Sequence, residues 1–88
     1  MKIELSSKFK KAFKKLASKR PDLAIIILEK ILLFSQDPHH ASLKFHKLKG
    51  ELQGAWSFSV ELDLRIIVDM YQSDTALLVM IGTHDEVY

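Results

Sequence analysis

Phe9, Ala12, Phe13, Leu16 and Ala17 follow one another at spacings of three and four, the repeat that aligns one face of an α-helix. Ser6 or Ser7 just upstream offers a hydroxyl to accept from an unpaired amide of the first turn. Residues 1–5 alternate and read as an edge strand. Arg20-Pro21 ends the run, because proline disfavours the α conformation at the residue before it. Pro21 and Asp22 then open a second helix, through a preset φ and a favourable charge at its amino end. Residues 23–34 are apolar nearly all round, interrupted by Glu29 and Lys30. Their length and the proline start predict a helix rather than a buried strand. Such a helix needs cover on more than one side, so its face remote from the sheet is a candidate partner surface. Two helices joined by a few residues are expected to be antiparallel neighbours.

After Asp37-Pro38 the period changes. Trp56, Phe58, Val60 and Leu62 alternate with Ser57, Ser59, Glu61 and Asp63, the signature of a half-buried strand. Residues 64–71 supply a second strand after a tight connection near 62–64. Gln72-Ser73-Asp74 reads as a turn, and residues 75–81 as a third strand punctuated by Gly82. Three closely spaced strands predict an antiparallel meander. The expected fold class is therefore α+β: two antiparallel N-terminal helices on one face of a mainly antiparallel sheet, in the order β-α-α-β-β-β. Residues 1–88 read as a single domain.

Composition narrows the chemistry. The absence of cysteine excludes a disulfide scaffold, a thiolate nucleophile and any Cys-ligated metal. The apolar fraction of 48% is ordinary for a folded soluble chain. No stretch suits a membrane span or a secretory signal, and a cytoplasmic location is the expectation. The net charge of +2 conceals a division along the chain. Residues 1–20 hold eight basic side chains against Glu4, whereas residues 50–88 hold Arg65 against seven acids. Lys44, Lys47 and Lys49 form a further basic cluster in a short loop-like segment. Such a dipolar surface suits phosphates or an acidic protein.

With Trp56, Phe58, Val60 and Leu62 turned to the helices, Ser59, Glu61 and Asp63 are expected to share the open face. A tight reversal brings Arg65 close to Asp63, and a cross-strand charge pair is the simplest reading. The alternative makes Asp63 a proton acceptor or a histidine orienter, and gives Arg65 a phosphate, whose oxygens match the guanidinium fork. His39 and His40 are adjacent, yet local spacing supplies no third ligand, and no metal site is expected. His46 and His84 are different, since imidazole is the natural acid–base group near neutral pH. With a carboxylate and several cations they meet the needs of RNA backbone cleavage. That reaction deprotonates a 2′-hydroxyl, stabilises a pentavalent phosphorus and protonates the leaving 5′-oxygen. It calls for no cofactor. Phe9, Phe13, Phe34, Trp56 and Phe58 are assigned to the core. Tyr88, near the terminus, is free to stack on a base.

Phe45-His46-Lys47-Leu48-Lys49-Gly50, Leu52-Gln53-Gly54-Ala55-Trp56, the run from Ser59 to Val68, and Gly82-Thr83-His84 with a terminal aromatic carry a family resemblance. Their order and spacing resemble the YafQ-like branch of the RelE superfamily, toxins of bacterial type II toxin–antitoxin modules. The resemblance covers essentially the whole chain and implies a RelE-like fold. It also implies a small endoribonuclease acting on mRNA in the decoding site of the ribosome and held silent by a cognate antitoxin. His46, Asp63 and His84 would then be catalytic, His84 as the proton donor to the leaving group. Arg65 would lie near the phosphate, and Tyr88 would contact an RNA base. Lys47 and Lys49 resemble the lysine-bearing segment of the superfamily; with Lys44 of the same basic cluster they are the expected RNA-binding lysines. One departure stands out: the branch commonly carries a histidine where this chain has Ser59, and a hydroxyl cannot act as a base near neutral pH. Two other readings stay open, a catalytically weak or silent antitoxin-binding homologue and a ParE-like gyrase inhibitor. The expected partners are the antitoxin and the ribosome with A-site mRNA, with no membrane and no small-molecule cofactor.

Overall fold

The chain runs through strand β1 (Lys2–Leu5), helix α1 (Ser7–Lys19), helix α2 (Pro21–Gln36), a 3-10 turn (Ala41–Leu43), and strands β2 (His46–Lys47), β3 (Trp56–Glu61), β4 (Leu64–Gln72) and β5 (Thr75–Thr83). The computed structural model describes residues 1–50, 54–61, 63–83 and 87. The strands form one sheet in the order β1-β5-β4-β3-β2. β1 pairs with β5 in parallel, and the other pairings are antiparallel. This is the expected α+β arrangement with an extra two-residue strand. The Lys44–Lys49 segment, read as loop-like, contributes β2 to the sheet edge. Two residues show no alternation, so only the distant partner β3 identifies the strand. Among the described residues no helix is long and apolar enough to cross a membrane.

Ser6 is the cap of α1. Its Oγ accepts from the Phe9 amide at 2.9 Å and donates to the Val79 carbonyl at 2.6 Å. One hydroxyl therefore fixes both the helix start and its attachment to β5. Replacing Ser6 with alanine removes the cap and strands a part-buried carbonyl, which together cost about 1–2 kcal/mol. Urea denaturation followed through the fluorescence of Trp56 measures this, and Ser6→Thr retains most of the stability. α1 turns Phe9 into the core, with Ala12, Phe13 and Leu16 packed around it, and its lysines outward.

Arg20 alone joins the helices. Its guanidinium meets the Asp22 carboxylate at 3.1 Å. That hydrogen bond holds the Asp22 carboxyl below its usual range and raises Arg20 further. A depressed carboxyl stabilises the fold above its unfolded-state value, and the contribution is lost as pH falls through the folded value. The pair is exposed, and such pairs contribute little.

The helices cover one face of the sheet, where Phe9, Leu23, Ile27, Phe34, Phe58, Val60, Ile66, Val68, Leu78 and Ile81 are buried together. α2 also bears out the reading of an all-round apolar helix. Ile25, Leu28 and Leu32 stay 59%, 55% and 58% exposed on its outer side. At the far end of the sheet a ring stack forms: Phe34 lies on Phe58 with centroids 4.4 Å apart, Phe45 meets Phe34 edge-on at 4.9 Å, and Phe45 stacks on Trp56 at 4.7 Å. This stack anchors the residue just before β2.

Candidate catalytic surface

Directly opposed residues of neighbouring strands point to the same face of a sheet. His46 opposes Ser57, which opposes Ile67, which opposes Met80. The adjacent rung is Ser59, Arg65 and Gly82. Phe58 and Ile66, between these rungs, face the helices. His46, Ser59 and Arg65 therefore share the face turned away from the helices. Lys47 opposes Trp56 and belongs to the other face, so the lysines around β2 bracket the strand rather than line one surface. Lys44, Lys47 and Lys49 are all exposed.

His46 has a defined tautomer. Lys44 ends the 3-10 turn in the left-handed region, φ 50° and ψ 42°, a conformation a lysine adopts at a cost of about 1 kcal/mol. Its carbonyl lies 2.8 Å from His46 Nδ1. A carbonyl only accepts, so Nδ1 carries the proton and the neutral ring keeps its lone pair on Nε2. The Phe45 ring, held between Phe34 and Trp56, and the β2–β3 pairing fix the backbone on either side. Phe45 was absent from the expected core because a lone aromatic among polar residues has no periodic partner in the sequence.

Two expectations about the hairpin fail for one reason. A register shift between Ser59 and Glu61 breaks the strict alternation, as a bulge does. Glu61 consequently opposes Leu64, a residue packed on the helix-side core, so Ser59 and Glu61 no longer share a face. The Asp63–Arg65 charge pair does not form. Arg65 opposes Ser59, and its Nη1 donates to Ser59 Oγ. Asp63, exposed in the turn, instead lines a groove of about 620 Å³ with Glu61 and Thr83, opposite Lys15, Lys19 and Arg20 of the helix layer. The structure thus brings His46 and Arg65 to neighbouring rungs and leaves Asp63 in the β3–β4 turn, lining the groove. The sequence reading also missed the approach of Lys15 and Lys19 to this turn, which only the packing of α1 on β5 brings about.

His84 and Tyr88 lie outside the described residues. The strand leading toward them carries Gly82 opposite Arg65 and Thr83 opposite Leu64. Gly82 is buried. His39 and His40 are accounted for locally. The His39 ring tilts against Phe45 at 5.7 Å, and His40 Nδ1 accepts from the Ser42 amide at 3.2 Å. Among the described residues no cluster of three or more His, Asp or Glu side chains is arranged to hold a metal.

The family model for YafQ, a bacterial toxin of type II toxin–antitoxin systems, matches residues 1–88. The chain belongs to the YafQ toxin family. Solved structures agree with this placement. A metal-bound toxin from Helicobacter pylori is 29% identical with a TM-score of 0.80, over 100% of this chain and 99% of that one. YafQ from Escherichia coli strain BL21(DE3) is 26% identical with a TM-score of 0.79, over 98% and 96%. The E. coli DinJ–YafQ complex gives 25% identity and a TM-score of 0.73, again over 98% and 96%. No curated protein matches the sequence. The RelE-like fold expected from the motifs is thus the fold of the YafQ family.

Proposed function

We propose that this chain is the toxin of a type II toxin–antitoxin pair and cuts mRNA in the decoding site of the ribosome. The observation that carries this reading is the His46 tautomer, whose Nδ1–H is held by the Lys44 carbonyl one rung from Arg65. Nε2 is then free to take the proton of a 2′-hydroxyl. The 2′-oxygen attacks the adjacent phosphorus, and Arg65 offsets the charge gathering on the non-bridging oxygens. By the family resemblance His84 protonates the departing 5′-oxygen and Tyr88 stacks on a neighbouring base. Asp63 lines the groove with Glu61 and Thr83, and by the family resemblance it helps activate the 2′-hydroxyl or position the scissile phosphate. Lys44, Lys47 and Lys49 engage RNA phosphates from both sides of β2, so ribosome affinity falls steeply with salt.

The partner is an antitoxin, as the structure of E. coli YafQ with DinJ supports for a relative. The exposed apolar stripe of α2 and the lysines of α1 are the surfaces such a partner would cover. Inducing the protein with and without the product of the neighbouring gene, then mapping mRNA 5′ ends, tests the reading. Codon-positioned cuts that appear only without the antitoxin support it. DNA breaks with intact mRNA would mean a gyrase inhibitor instead. One observation favours a silent antitoxin-binding homologue: the serine in place of a histidine is already bonded to Arg65. Tight antitoxin binding with neither mRNA cuts nor DNA breaks would select it.

A further inference from the structure

Ser59 lies at the centre of the catalytic surface, between the rung of His46 and the strand of Arg65. A guanidinium has donors and no acceptor, so in the Arg65–Ser59 bond the serine oxygen accepts. The single hydroxyl proton is therefore directed away from Arg65. Among the described residues no acceptor for it is recorded. Ser59 is only 8% exposed and Arg65 is half-buried, so hydrogen bonds made here act in a low dielectric. The arginine also polarises the hydroxyl it bonds to, which makes the remaining O–H a better donor.

We propose that Ser59 is a catalytic residue, donating its hydroxyl hydrogen bond to a non-bridging oxygen of the phosphate under attack while Arg65 holds its oxygen in place. The proposal rests on the ribonuclease reading. In the step, the bond from the 2′-oxygen to phosphorus forms and the bond from phosphorus to the 5′-oxygen breaks. The 2′-hydroxyl proton passes to His46 Nε2, and the acid on the leaving side returns one to the 5′-oxygen. Ser59 transfers no proton. It strengthens its hydrogen bond as charge builds on the phosphoryl oxygen, which lowers the barrier without changing ground-state binding. The site thus uses the serine for the one task a hydroxyl can do here, since it cannot be the base.

The test uses the purified protein on ribosomes programmed with an mRNA whose cut site has been mapped. Substrates carry oxygen, or sulfur in the Rp or Sp position, at the scissile phosphate. Ser59→Ala is expected to slow cleavage about 10- to 100-fold with KM unchanged. Sulfur in one diastereomeric position slows the wild type and adds nothing to Ser59→Ala, while the other position affects both proteins alike. Ser59→Thr, which keeps the hydroxyl, retains most of the rate and the stereospecific sulfur effect. An unfolding midpoint close to that of the wild type removes misfolding as the cause. A wild type that cleaves while Ser59→Ala cleaves equally fast overturns this proposal alone. So does a stereospecific sulfur effect of the same size in both proteins. A wild type that cuts no mRNA on ribosomes overturns the ribonuclease reading, and this proposal falls with it.

Discussion

Replacing His46 with alanine is expected to slow mRNA cleavage about 10²- to 10⁴-fold, the range lost with a general base. The loss should lie in kcat, because the ring gives up its function in the proton transfer and not in holding the ribosome. His46 is exposed, so the unfolding free energy should stay within about 0.5 kcal/mol of the wild type. That separation makes the result readable as chemistry. Exposure also permits rescue: added imidazole can enter the space left at the sheet edge and restore part of the rate. Single-turnover cleavage on programmed ribosomes, with and without imidazole, measures all of this. A His46→Ala protein that cleaves at the wild-type rate would remove this residue as the base. Asp63 and the residues beyond the described strand would then be the remaining candidates.

The reason for expecting so much from an exposed histidine lies in the local backbone. Lys44 takes the left-handed conformation at the end of a 3-10 turn and aims its carbonyl at His46 Nδ1. The tautomer that results is the one a base on the Nε2 side requires. None of this follows from composition. A left-handed lysine has no sequence signature of the kind glycine or asparagine provides. By contrast, α1 was legible because five apolar residues repeat at helical spacing and a serine precedes them. α2 was legible because Pro21 fixes its start. The meander was legible because β3, β4 and β5 are each long enough to show strand composition and are joined by short turns.

What the sequence hid was non-local. β2 is two residues long, and its identity as a strand depends on β3, which lies beyond residues 48–55. The register shift after Ser59 inserts one residue into an otherwise regular alternation, and pattern reading has no means of seeing it. That one residue moves Glu61 to the helix side, separates Asp63 from Arg65 and gives Arg65 to Ser59. The candidate residues were thus largely identified from chemistry and family resemblance, while their pairing came from the register. Charge division along the chain was the other readable signal. Its structural form is more specific than a basic half and an acidic half, because Lys15, Lys19 and Arg20 face Glu61 and Asp63 across one groove.

Phe45→Ala is expected to be the most damaging single change at this end of the molecule, since it affects stability and the site together. The ring makes an edge contact with Phe34 and a stacked contact with Trp56, and it is half-buried. Truncation should cost about 2–4 kcal/mol, from lost apolar burial, a partial cavity and two aromatic contacts. That is a large share of the roughly 5–10 kcal/mol available to a domain of this size. The effect on cleavage should exceed what the unfolded fraction explains, because among the described residues β2 is held to β3 by two residue pairs and the adjoining Leu48–Ala55 backbone hydrogen bond once the ring is gone. His46 would then lose its fixed position opposite Ser57. Urea denaturation gives the stability term, and cleavage measured well below the unfolding midpoint gives the positional one. Phe45→Leu separates them further: it refills much of the volume, recovers stability, and keeps β2 docked, so its cleavage should return with it. Full cleavage by folded Phe45→Ala would mean that the aromatic stack stabilises the domain without positioning His46.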